Sequence, residues 1–291
     1  MTVSNPLDGP VPVAVSTCHH PNRPTAPDSV WDWQAYSTWR SVVWDLISDT
    51  VDDRVRSAFI KSPPEYVVGD DLSWLDDIIR SVQGFEVASK SLLADRLGQR
   101  FKALRAFHGT RTSDVAGFYR NGLLPLDPGT IHAQARAIFL SGAFPELRAV
   151  DIETAIQAVG SDLRAHRVFF EANEEVLVAQ CGHYLLYGSE YLTAIAAHLS
   201  GHRDYRQVLK SLGEPTLFVC DVPLPLIDGH ALLEFAGTAL ANVFQELLDG
   251  EDYAPERWRG AGSCIKQPLL PEYIVDHYHP VVIRDPFCRV A

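Results

Sequence analysis

The chain has 291 residues, 46% of them hydrophobic, which is enough to bury a large core, and 37 acidic against 25 basic side chains give it a net charge of −12. That charge argues against broad electrostatic capture of DNA or RNA and favours a protein or small-molecule partner, while leaving room for a small local basic groove. Five scattered cysteines (Cys18, Cys181, Cys220, Cys264, Cys288) with no C-x-x-C pair suggest neither a disulfide framework nor a cysteine zinc site. With no apolar run of eighteen residues and no basic-then-apolar leader, the expectation is a cytoplasmic protein without a membrane span.

Residues 1–30 hold six prolines among small polar residues and show no sustained period, so they read as an irregular tail. The adjacent Cys18, His19 and His20 lack a further ligand at usable spacing and do not make a metal site. Residues 31–100 read as a helical region. From Trp31 to Lys61, apolar residues at Trp33, Tyr36, Trp39, Val43, Leu46 and Ile47 recur three or four apart, as on one helix face. A second helical stretch runs from Leu72 to about Phe101, with Gly84 as a break, and packs against the first. Trp31, Trp33, Trp39 and Trp44 have the look of a recognition strip, but helical spacing and acidic surroundings assign them to core packing.

After Arg100 the pattern changes. Short strands are expected at Leu104–Phe107, Arg167–Phe170, Thr216–Cys220 and Tyr273–Val275, between helices at about 133–163, 176–198 and 231–248, which makes residues 101–291 an α+β domain. A further helix should follow Thr112 and end at Asn121-Gly122, where glycine tolerates a positive φ. Neither G-x-G-x-x-G nor G-x-x-x-x-G-K-[ST] occurs, which argues against Rossmann and P-loop folds.

The segment Phe107-His-Gly-Thr-Arg111 places polar groups at the end of an apolar strand. His108 offers an oriented donor or acceptor, and Gly109 lets the backbone approach a flat ring closely enough to pair with a carboxamide. Two other strings stand with it: Val168-Phe-Phe-Glu-Ala172 before a helix, and Pro268-Leu-Leu-Pro-Glu-Tyr-Ile-Val275. In this order they resemble the three motifs of the ADP-ribosyltransferase superfamily, in its His-Tyr-Glu branch, which includes poly-ADP-ribose polymerases and diphtheria-type toxins.

The resemblance covers about 190 residues. It implies a split β-sheet core with helical insertions, in which NAD, as substrate and without a metal, lies in a cleft between two small sheets. By position His108 holds a ribose, Gly109 pairs with the carboxamide, and Thr110 completes the His-Gly-Thr triplet. Phe169 or Phe170 stands where the family has tyrosine, keeping a stacking face but losing the hydroxyl. Tyr184, Tyr187 and Tyr191, spaced to share a helix face, supply Tyr184 and Tyr191 as substitutes. Glu272 falls where the family's catalytic glutamate begins a final strand, and a carboxylate there stabilises the charge that develops on C1′ as nicotinamide leaves.

The implied activity is transfer of ADP-ribose to a protein or nucleic-acid acceptor, in a bacterial toxin or phage-defence setting with an antitoxin or regulatory partner. Alternatives are an RNA 2′-phosphotransferase, a non-catalytic NAD or ADP-ribose binding module, and an interaction protein working through its Trp-rich helices. His277 with His279, and His198 with His202, have no third ligand at set spacing and read as structural. No G-x-S-x-G elbow supports a serine hydrolase.

Overall fold

One of the two longest strands begins at Ala103, just after the helical region. In the computed structural model, which describes residues 23–162, 164–199, 201, 203–255 and 262–288, Ala103–Thr112 pairs antiparallel along its whole length with Glu214–Pro223. The first 22 residues of the expected tail, Cys18, His19 and His20 among them, and His202 lie outside the described residues.

In chain order the elements are β1 (Val30–Asp32), α1 (Tyr36–Ile47), α2 (Asp53–Lys61), α3 (Ser73–Gln83), α4 (Ser89–Arg100), β2 (Ala103–Thr112), α5 (Val115–Asn121), α6 (Pro128–Phe139), α7 (Ala149–Val159), β3 (Val168–Glu171), α8 (Glu174–Ala179), α9 (His183–Tyr187), α10 (Glu190–His198), β4 (Glu214–Pro223), α11 (Gly229–Asp249), β5 (Gly262–Ile265) and β6 (Ile274–Tyr278). The sheet order is β5-β3-β2-β4-β6, with β1 parallel to the start of β2. Helices cover a largely antiparallel sheet, so the class is α+β. Among the described residues no helix is long and apolar enough to cross a membrane.

Local chemistry explains most boundaries. The Asp52 carboxylate accepts from the backbone N–H of Arg54 and Val55 to start α2, and Asp127 caps α6 with Pro128 at the first helical position. Asn173 and Ser189 cap α8 and α10 in the same way. α3 ends on Gly84 at φ 80°, and α5 ends on Gly122 at φ 78°. A side chain on Gly122 would also overlap the Leu269 carbonyl, whose residue pairs with Leu123.

Several expectations need correction: the helix expected at 133–163 is two helices, α6 and α7, and that at 176–198 is three, α8, α9 and α10. Trp31 to Lys61 is not one helical face: Val30–Asp32 is a strand against β2, and a turn at 48–52 separates α1 from α2. Consecutive Val30 and Trp31 extend because β2 offers an unpaired edge, a tertiary preference that overrides the apparent helical spacing. Likewise Tyr184, Tyr187 and Tyr191 do not share a helix face, because Gly188, at φ 83°, ends α9 before α10 begins.

Alternation along β2 and β4 serves two cores. Leu104 and Ala106 of β2 with Phe218, Cys220 and Val222 of β4 face a large core completed by α1–α4 and α11. Trp31, Trp33 and Trp39 are buried in it, Trp31 within 6.0 Å (ring centroids) of both Trp33 and Trp39. The opposite face carries Phe107, Leu217 and Val219 beneath Leu177 and Val178 of α8 and Leu185 of α9. A third cluster, from α6, α7, α10 and the 3₁₀ turn at Tyr205–Ser211, stands beside these.

On the α8–α9 face the fully buried Arg105 donates to Asp221 Oδ1 at 2.5 Å and to the Pro24 carbonyl at 2.7 Å. Removing the carboxylate would leave a buried guanidinium without its counter-charge. The expected result for Asp221→Ala is a loss of about 3–5 kcal/mol in urea unfolding, whereas Glu153→Ala, which breaks an exposed pair with Arg136, should leave the midpoint unchanged.

Candidate functional site

β2 is shared unequally along one edge. β1 pairs with its start, from Ala103 to Arg105, and β3 pairs with it at one position, Phe107 opposite Glu171. Beyond that pair β2 continues from His108 to Thr112 alongside β4 alone, so the sheet parts at the His-Gly-Thr triplet. The imidazole of His108 spans the parting: its Nδ1 lies 2.9 Å from the Phe169 carbonyl of β3. A carbonyl only accepts, so Nδ1 carries the proton and Nε2 of the neutral ring is the acceptor. Nε2 has no hydrogen-bond partner among the described residues.

Side chains approach the parting from both faces. On the large-core face, one cross-strand row runs Ser263, Phe170, His108, Phe218, His277, from β5 to β6. Phe170 packs into the core and sits 5.9 Å from the His108 ring. Ser263 Oγ is buried and without a hydrogen-bond partner. Thr110, half-buried, pairs in register with Thr216.

On the α9 face, a Cβ built on Gly109 would lie 3.4 Å from Leu185 and 3.6 Å from Tyr184, so α9 crosses β2 at the glycine. Tyr184 is half-buried, and its hydroxyl donates to Glu190 Oε2 at 3.4 Å. Burial first, and the neighbouring Glu190 carboxylate second, push that phenol up to about 12. Glu190 itself is held below the usual carboxylate range, mainly by Arg164, whose guanidinium donates to Oε1 at 2.6 Å. Burial pushes the Cys181 thiol up, and the charges of Glu171 and Glu190 add to the effect.

The predicted site residues separate into groups. His108, Gly109 and Thr110 stand together at the parting. Phe169 is 42% exposed and Tyr184 half-buried, so both have ring surface to offer a ligand. Phe170 and Tyr191 are 4% and 1% exposed, and the Tyr191 hydroxyl is engaged with His132 Nε2 at 2.8 Å. These two rings are enclosed by protein.

Glu272 stands apart. It occupies an exposed 3₁₀ turn just before β6, and β6 lies beyond β4, two strands from β2. The register sets Ile274 level with Ala106, so the Glu272 backbone is about 11 Å along the strands from His108 and about 10 Å across them. The sequence reading assigned no role to Glu190, which adjoins the tyrosines, nor to Glu171, Arg164 and Ser263. Glu190 carries the one usable signal, an acid directly after Ser189 at a helix start and next to a tyrosine; the others become neighbours only through strand pairing.

His277 accepts from or donates to the Tyr119 hydroxyl at 2.9 Å, and His279 Nδ1 lies 2.8 Å from the Pro215 carbonyl. Among the described residues no group of three or more His, Cys, Asp and Glu side chains is arranged to hold a metal.

Burial holds the His108 pKa below the ordinary histidine value, partly offset by the bond to the Phe169 carbonyl. The unfolded chain, near 6.5, therefore takes up this proton at a higher pH than the native protein does. The stabilisation is intact above about pH 6.5 and is lost as pH falls through the lower native value. Urea unfolding between pH 7.5 and 5 should show a shallower acid loss in His108→Gln than in the wild type; equal slopes would contradict the assignment. Compared with protein-family models, curated proteins and solved structures, the chain matches none.

Proposed function

We propose that the chain binds NAD where β2 parts from β3 and transfers ADP-ribose to a macromolecular acceptor, releasing nicotinamide. One observation carries this reading: the His-Gly-Thr triplet lies at the point where β2 loses its partner strand, with the His108 ring oriented by the Phe169 carbonyl and Nε2 left to accept. That nitrogen suits a ribose hydroxyl. The exposed Phe169 and the half-buried Tyr184 suit a nicotinamide ring, and the backbone at Gly109 suits its carboxamide. The strands form one six-stranded sheet, not the two small sheets that the resemblance implies, and the parting of β2 from β3 is the only break in pairing that bears on the reading among the described residues.

Transfer breaks the C1′–N bond, with the electron pair leaving on nicotinamide, and joins C1′ to a lone pair of the acceptor, which gives up a proton. The positive charge on C1′ calls for an ionised carboxylate nearby. Glu272 is too remote from His108 for that role. Glu190, half-buried, kept ionised by Arg164 and beside Tyr184 on the α9 face, is the candidate for that carboxylate. Glu171 fits less well, since it is 9% exposed and one of its oxygens already accepts from the Asn173 N–H.

A second reading, a non-catalytic NAD or ADP-ribose binding module, is favoured by the missing hydroxyl at Phe169 and the distance of Glu272. Incubation with labelled NAD, alone and with cell lysate, separates the two. In an enzyme, Glu190→Gln should slow nicotinamide release by about 10²–10³-fold with little change in NAD affinity. Under this geometry Glu272→Gln should behave as wild type, and its loss of turnover would overturn the assignment of Glu190. Binding without release in the wild type would establish the sensor, and no NAD binding would sink both readings. Gly109→Ala is a further probe, since its methyl meets only ordinary contacts in the fold; its expected outcome is an unchanged melting temperature with weakened NAD binding.

A further inference from the structure

Away from the His108 parting, a cavity of about 330 Å³ opens between α1, α11 and the place where β1 and β3 meet end to end beside β2. Its volume is at the small end of the roughly 300–1,000 Å³ typical of ligand pockets. Trp33, Tyr36 and Trp39 form an aromatic wall, and three carboxamides, Gln34, Asn173 and Asn242, bring amide edges to the same space. Gln34 Nε2 spends one N–H on Asn173 Oδ1 at 3.0 Å. Asn242 accepts from Tyr253 at its Oδ1, while its Nδ2 has no partner among the described residues. Glu175 adds a carboxylate at the rim.

The chemistry narrows the ligand. A phosphate needs a cation with charge to spare, and Arg23, the one cation among the described residues of the wall, is already committed to Asp32, Gln34 and Glu174. A quaternary ammonium needs an open aromatic cage. Here Trp33 and Trp39 stack on each other, 5.2 Å apart at 17°, and Trp39 meets Tyr36 edge to face, so no cage is open. An uncharged planar heterocycle whose edge alternates donors and acceptors satisfies both the apolar wall and the amides, as asparagine and glutamine do when they read a base edge.

We propose that this cavity is a nucleobase site, sized for one nucleoside and read through Asn242. It is independent of the NAD reading. Two sources share the chemistry: a free nucleoside and the adenine half of NAD.

Calorimetric titration of the full chain with adenosine, guanosine, cytidine, uridine and NAD, each separately, tests it. At least one nucleoside should bind saturably, about tenfold more weakly to Asn242→Leu, as expected for one lost hydrogen bond, and not at all to Ala35→Phe, which fills the cavity from its wall. Melting curves identify any variant that fails to fold, and Ala35→Phe leaves the amide network intact as the second variant. If NAD weakens in parallel, adenine is the source; if NAD binding is unchanged, the site serves a free nucleoside. Failure of all four nucleosides to bind, or equal binding by wild type and both variants, overturns the proposal. Failure of NAD alone tells against the His108 reading and leaves this one standing.

Discussion

Everything in this protein is referred to the ten-residue antiparallel ladder between β2 and β4. A two-stranded ribbon is marginal in water unless both faces are covered. Here the even-numbered residues of β2 meet the tryptophan-rich core and the odd-numbered ones meet α8 and α9. The buried Arg105 is the exception to an apolar pattern, and it is tolerated because Asp221 and the Pro24 carbonyl answer its donors. The same pair draws the chain around Pro24 under the sheet, where Arg23 lies 5.5 Å from the centre of the Phe107 ring.

The free length of β2 follows from how its other edge is divided. β1 and β3 approach from opposite ends and stop short of overlapping, and the bond from Gln34 to Asn173 closes the joint between them. β3 runs antiparallel beside this end of β2 but pairs with it only at Phe107 and Glu171, so from His108 onward β2 has no paired strand on this edge. A ligand with hydrogen-bonding groups of its own can enter where β3 diverges from β2. The triplet thus gains its availability from topology, and its chemistry from the side chains.

Much of this was legible in the residues. β2, β4, α5 with its terminal Gly122 and α11 follow from local periodicity, capping and glycine placement, all short-range signals. The tryptophans as core residues followed as well, although the strand at Trp31 did not, because its extension depends on an edge supplied 73 residues away. Glu272 shows the same limit more sharply. Its string stood in the expected order along the chain, but strand pairing is non-local, and β6 lies on the β4 side of the sheet while β3 and β5 lie on the other. The contact of Glu190 with Arg164 spans 26 residues and a helical reversal at Gly188 that helical spacing alone did not reveal.

β1 and α1–α4 share one continuous core with the sheet and α11, sealed by the close approach of Gly237 in α11 to Gly69, where either added side chain would collide with the other's backbone. A chain divided after Arg100 would expose the indole of Trp31 and the outer face of α11 together. The helices and the sheet are therefore one cooperative unit: amide protons in α1 and in β4 should exchange through the same global opening, and anything that grips the N-terminal helices pulls directly on the strand that carries His108.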